Sequence, residues 1–168
     1  MSKRARQYIG LVCAVLAYYV IHEGAHLLYA LCTGTFKTIN FMSLGMQIDV
    51  YAEAMTDAQL GMFCLVGAIA TAAAAYILAA LAKRIGKSGS KVIKAVMYYI
   101  TLAMLLIDPL YLSVLCGFFG GGDMNGIKLL IPELYARLLF GAVLAVNAIV
   151  FIKHVLPVYR QAFKETDQ

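Results

Sequence analysis

A chain of 168 residues that is 62% hydrophobic and only 14% charged, with a mean hydropathy of +0.81, excludes an ordinary water-soluble domain. The length would suit one such domain, yet the apolar runs reach the roughly 20 residues that carry a helix across a bilayer core. The net charge of +5 comes largely from Lys and Arg beside those runs, which points to a membrane surface and gives no reason to invoke nucleic acid.

The expected fold is an all-α membrane protein, a single domain over residues 1–168 with about four transmembrane helices. The first apolar run spans residues 8–31. Lys3, Arg4 and Arg6 precede it as in a signal peptide, but no small-residue cleavage site follows, so a retained helix is predicted. In the connection 34–57, Phe36, Ile39, Phe41, Met46, Ile48, Val50 and Tyr51 are interleaved with polar residues, with glycines at Gly34 and Gly45. That pattern predicts a short hairpin-like segment after the first helix. Further spans are predicted over 58–82, 92–118 and 134–156. A flexible turn, GKSGSK, separates the middle two, and a glycine-rich loop, 119–128, precedes the last. Cys13, Cys32, Cys64 and Cys116 lack CxxC spacing and are expected to pack as small apolar residues.

Basic residues near span ends collect on the cytoplasmic side. Lys3, Arg4 and Arg6, then Lys83, Arg84, Lys87, Lys91 and Lys94, then Lys153, Arg160 and Lys164, all fall on one side of a four-span bundle, against Lys37, Lys128 and Arg137 on the other. Both termini are therefore predicted to be cytoplasmic, in a multi-pass protein of a prokaryotic cell membrane, with the hairpin outside.

The first span contains HEGAH, residues 22–26. Positions i and i+4 share a helix face, so His22 and His26 can present two imidazole nitrogens to one ion, with Glu23 beside them. This is the HExxH arrangement, in which the histidines bind Zn²⁺ and the glutamate serves as general base on water. Burial strengthens the reading. A charged residue at the centre of a span costs on the order of 2.5–3.5 kcal/mol on insertion scales, so polar groups there without a purpose are rare. A catalytic zinc site has three protein ligands. His154 is better explained as an interfacial residue, and Glu133 is expected to meet water. Asp108 and Asp123 remain as the third ligand. Asp108 is favoured by its depth in the third span, where Pro109 beside it could break the helix. Asp123 is favoured by Gly120, Gly121 and Gly122, which could run extended and deliver a carboxylate into a packed site.

The chain resembles the site-2 proteases, intramembrane zinc metalloproteases. The likeness covers most of its length. HEGAH lies in a first core helix, followed by the glycine-containing strand-like FKTINFMSLGMQI. GAIAT at 67–71 is similar to a GPxxN signature, and GGDMNG resembles the end of an NxxPxxxxDG motif. The departures are Ala68 and Thr71 in the former, Leu115 and Phe118 in the latter, and Met124 between Asp123 and Asn125-Gly126. The resemblance implies a minimal catalytic core holding one Zn²⁺ per chain on His22, His26 and Asp123, with Glu23 as the base. Asp108 is then a residue behind the ligands or a polar kink. It also implies a site opening toward the cytoplasm, opposite to the side on which the charge pattern puts the hairpin. The expected partners are the lipid bilayer and a membrane protein or peptide substrate, which must arrive unwound because a helix hides its carbonyls. The hairpin, through Ile39 and Phe41, is expected to offer a strand edge to that substrate, and Thr71 a hydrogen bond to its backbone. Two other classes fit the same residues. A non-catalytic relative, keeping the metal as a staple and acting as regulator or chaperone, predicts that Glu23→Gln changes nothing. A transporter with a His/Glu/Asp ion relay predicts uptake by proteoliposomes and related halves, which the sequence lacks.

Overall fold

The computed structural model describes residues 1–42, 45–120 and 122–165. Helix α1, Lys3–Thr33, is followed by an antiparallel hairpin of β1, Phe36–Met42, and β2, Gly45–Val50. Helices α2, Asp57–Gly86, and α3, Lys91–Ser113, come next. A 3₁₀ turn at Leu115–Gly117 leads to the single-turn α4, Met124–Ile127. Helix α5, Glu133–Val150, continues through a π-turn, Phe151–Val155, into α6, Leu156–Glu165. Four helical stretches are long and apolar enough to cross a membrane: α1, α2, α3, and α5 with α6. Their outward faces carry exposed Leu11, Val15, Val20, Ile77, Leu138 and Ile149. So wide an apolar surface is stable only against lipid.

The helix ends follow from local chemistry. Ser2 caps α1 by accepting from the Ala5 N–H, and Thr56 with Gln59 forms a capping box on α2. Gly34, at φ 67°, takes the left-handed conformation that closes α1. Helix α3 stops at Ser113, five residues short of the apolar run's predicted end, because Arg137 of α5 donates Nε–H to the Ser113 carbonyl at 3.1 Å and Nη2–H to the Val114 carbonyl at 3.4 Å. A side chain from a later helix thus supplies donors that the next helical turn would have provided.

Pro109 does not break α3. It lacks the N–H that would reach the Leu105 carbonyl four residues back. Asn147 Nδ2 of α5 donates to that carbonyl instead, at 2.7 Å, and Tyr76 of α2 donates to Asn147 Oδ1 at 2.6 Å. The backbone gap opened by the proline becomes a polar link among three helices, which apolar surroundings make necessary.

Two apolar clusters fill the bundle. Leu112, Cys116, Met124 and Ile127 pack at the α4 end, and Met104, Leu105, Val155 and Tyr159 pack toward the termini. A third, of Ala30, Ile48, Val50 and Phe63, seats the hairpin on α1 and α2.

Candidate metal centre

His22 and His26 lie one helical turn apart on the inward face of α1, and both are buried. His26 Nδ1 stands 2.7 Å from the Phe63 carbonyl oxygen, and His22 Nδ1 stands 3.2 Å from Asp108 Oδ1. Both partners are acceptors, so each ring carries its proton on Nδ1 and turns the Nε2 lone pair inward. The two Nε2 atoms are 3.1 Å apart. Asp123 Oδ2 completes a triangle, 3.1 Å from His22 Nε2 and 3.6 Å from His26 Nε2. Three acceptors thus converge with no donor among them. Only positive charge between them relieves the arrangement. A proton serves two of the three atoms, whereas a metal ion serves all three. Donors about 2.0–2.1 Å from a tetrahedral ion stand about 3.3 Å from one another. The observed triangle matches that spacing.

Helix α2 forms the wall behind the imidazoles. A Cβ at Gly67 would come within 2.6 Å of His26 Nε2 and 2.8 Å of His22 Nε2, so only glycine lets the backbone approach this closely. Asp123 is delivered by a turn rather than by the extended run expected. Gly120 and Gly122 have φ of 82° and 45°, and Gly121 lies outside the described residues. The turn is fixed by Asn125 Nδ2, which donates to the Gly120 carbonyl at 3.0 Å. It is pressed against α2 because Gly126 lies flat on Cys64, whose Cβ is 2.8 Å from where a Gly126 Cβ would stand. Asp123 occupies the N-cap position of α4 yet makes no capping bond, its carboxylate being aimed at the histidines.

Asp108 sits at the depth of His22, as its place in the third span predicts, but behind the ring rather than at the triangle. Its carboxylate accepts from the Tyr18 hydroxyl, the Thr71 hydroxyl and His22 Nδ1–H. Thr71 is therefore buried with its one proton committed to Asp108, which leaves none for a substrate backbone. Tyr18, one turn before His22, and the Phe63 carbonyl escaped the sequence reading. The spacing 18, 22, 26 marks Tyr18 as sharing the ligand face, whereas a backbone carbonyl leaves no trace in a sequence.

Glu23 points to the hairpin. Its Oε2 accepts from the Ile48 N–H of β2 at 3.3 Å. Along a strand the N–H groups alternate sides, so Met46 and Ile48 present theirs to the free edge of β2. A cavity of about 880 Å³ lies between that edge and the turn carrying Asp123, with Glu23, both histidines, Tyr19 and Tyr111 on its walls. The strand beside the cavity is β2, whereas the expectation for a substrate edge names Ile39 and Phe41. Both lie on β1; Ile39 packs against the cluster beneath the hairpin, and Phe41 is 81% exposed. His154 is exposed on the π-turn, and Glu133 is exposed at the start of α5, where it pairs with Arg137 at 3.3 Å.

No family model, curated protein or solved structure matches the chain, so the geometry of the triangle and its cavity carries the functional reading.

Proposed function

We propose that this chain is an intramembrane zinc metalloprotease of the site-2 protease type, hydrolysing a peptide bond in a membrane-embedded or membrane-adjacent substrate. The observation that carries the reading is the triangle of His22 Nε2, His26 Nε2 and Asp123 Oδ2, with both Nδ1 protons held by acceptors and a carboxylate adjacent in sequence at the cavity wall. Metal-ligating histidines characteristically donate their second N–H to a carboxylate or a carbonyl, and here one does each. Two nitrogens and one carboxylate oxygen suit Zn²⁺, with one position left open for chemistry. Zn²⁺ held there supplies a Lewis acid that polarises a carbonyl oxygen and acidifies water.

The chain's own residues do the rest. Glu23, one residue from a ligand, takes a proton from the attacking water on a carboxylate oxygen and returns it to the leaving amine nitrogen. An unwound substrate segment lies along the free edge of β2, where the Met46 backbone can pair with it and hold the scissile carbonyl toward the triangle. Asp108, Tyr18 and Thr71 fix the His22 ring. The reading places both termini on the cytoplasmic side of a prokaryotic membrane, following the charge pattern, with the site in the half of the bundle near the hairpin.

The test is cleavage of membrane-anchored model peptides in proteoliposomes, with new termini identified by mass spectrometry. The unmodified chain should cut, should lose cleavage on chelation, and should regain it with Zn²⁺. Glu23→Gln should bind zinc within about threefold of the unmodified chain and reduce cleavage by about 10²–10⁴, the range for loss of a general base. Equal cleavage by Glu23→Gln removes its assigned role. A chain that holds no zinc under metal-replete conditions overturns the proposal.

A further inference from the structure

A second cavity, of about 640 Å³, lies at the opposite end of the bundle, between the first turns of α1 and α3 and the face of α6. Among the described residues its charged lining is wholly cationic: Lys3 and Arg6 from α1, Arg160 and Lys164 from α6. Tyr98, Tyr99 and Tyr159 line it as well, and among the described residues no carboxylate does. A bias of Lys and Arg at the ends of spans needs no ligand to explain it. Convergence is a different matter. Lys83, Arg84 and Lys87 belong to the same basic side yet lie outside this cavity, whereas four cations from two helices far apart in sequence line it together.

The arrangement is held in place. Lys94 is buried and donates Nζ–H to the Ala162 carbonyl at 2.8 Å, fastening α6 to α3. Gly86 of α2 meets α6 at Ala162, where an added Cβ would stand 3.2 Å from the alanine methyl. Arg6 is steadied by donating Nη1–H to the Met1 carbonyl at 2.9 Å. The helices that carry the four cations are thus held together without a ligand, and their common positive charge attracts an anion.

Position identifies the anion. Tyr8, Ile9, Leu11 and Val12 are all exposed, so lipid-facing apolar surface begins within about 8 Å of Arg6 along α1. The cations therefore stand at headgroup depth, with tyrosines at the level where aromatic residues gather in membrane proteins. We propose that this cavity is a binding site for the phosphate headgroup of an anionic phospholipid, whose acyl chains stay in the bilayer beside α1. The site is separate from the metal centre and does not depend on the proteolytic reading.

The test is native mass spectrometry of the detergent-solubilised chain with dioleoyl phosphatidylglycerol or dioleoyl phosphatidylcholine, which share acyl chains and differ in net charge. Phosphatidylglycerol should bind at least about tenfold more tightly, given that each cation near a surface contributes roughly fivefold. Arg6→Gln/Arg160→Gln/Lys164→Gln should abolish that preference. Lys83→Gln/Arg84→Gln/Lys87→Gln removes equal charge outside the cavity and should preserve it. Arg160→Gln alone, on an exposed position, should lower the preference about fivefold without disturbing the core. Equal binding of the two lipids by the unmodified chain, or equal losses in the two triple variants, would overturn the site. Displacement of the lipid by millimolar inorganic phosphate would overturn the lipid assignment in favour of a soluble anion.

Discussion

Asparagine at position 108 separates orienting a metal ligand from being one. In the native chain the Asp108 carboxylate accepts three hydrogen bonds, from Tyr18, Thr71 and His22 Nδ1. Asparagine fills the same space but keeps one acceptor oxygen and turns an N–H₂ toward donors. At least one of the three bonds is lost, and the ring of His22 is freed to rotate. A hydrogen bond to a charged group contributes about 1.5–3 kcal/mol, and 1.4 kcal/mol is a factor of ten. Metal affinity should therefore fall about 10–100-fold, the range found when partners of ligating histidines are removed. The assay is competition for Zn²⁺ against a chromophoric chelator, comparing the unmodified chain with Asp108→Asn and Asp123→Asn. Asp108→Asn should still bind about one ion, as a mononuclear site requires, but more weakly, while Asp123→Asn should lose the site. Unchanged affinity in Asp108→Asn would show that the ring needs no anchor. Losses as severe as those of Asp123→Asn would make Asp108 itself a ligand and refute the assignment of the triangle.

Three other outcomes are expected. Gly67→Ala places a methyl 2.6 Å from His26 Nε2, so metal content should drop while the chain still elutes as a folded species; normal metal content would show that α2 yields at no cost. Chelation should lower thermal stability, because an ion present at 100 times its dissociation constant contributes about 2.7 kcal/mol, equivalent to about 5–10 °C in Tm for a chain of this size. A Tm that ignores chelation counts against a bound ion. Met46→Pro removes an N–H from the free edge of β2 and should raise KM for a peptide substrate several-fold with zinc binding intact, whereas Phe41→Pro on the outer strand should change KM little. The reverse order would place the substrate on β1.

Much of this was written in the sequence because it depends on local periodicity. Apolar runs of spanning length give the helices, alternation gives the hairpin, and the i, i+4 spacing puts His22 and His26 on one face. What was not legible depends on contacts between distant segments. The choice between Asp108 and Asp123 turns on where a short turn is pinned, and that is decided by Gly126 meeting Cys64, residues 62 positions apart. The end of α3 is fixed by Arg137 from another helix. The cavity-side strand could not be chosen because β1 and β2 carry the same alternation. Pro109 misled for the same reason: its missing N–H is compensated by Asn147, far along the chain.

The π-turn at Phe151–Val155 has a consequence for how this protein tolerates changes in length. Ala136 and Asn147, both buried on α5, are eleven residues apart, and at about 100° per residue they fall within about 20° of each other around the axis. Tyr159 is buried too, but it lies twelve residues beyond Asn147, which would turn it about 120° away in an unbroken α-helix. The wide turn, in which the Leu156 N–H reaches the Phe151 carbonyl, absorbs the surplus residue just before Pro157. Residues 151–155 are thus the chain's one slack link in this span. Deleting a single residue there would tighten the turn to an ordinary one and leave Tyr159 facing inward. The same deletion a turn earlier, between Gly141 and Val146, would throw Ala136 and Asn147 out of phase and sever the bond that compensates for Pro109.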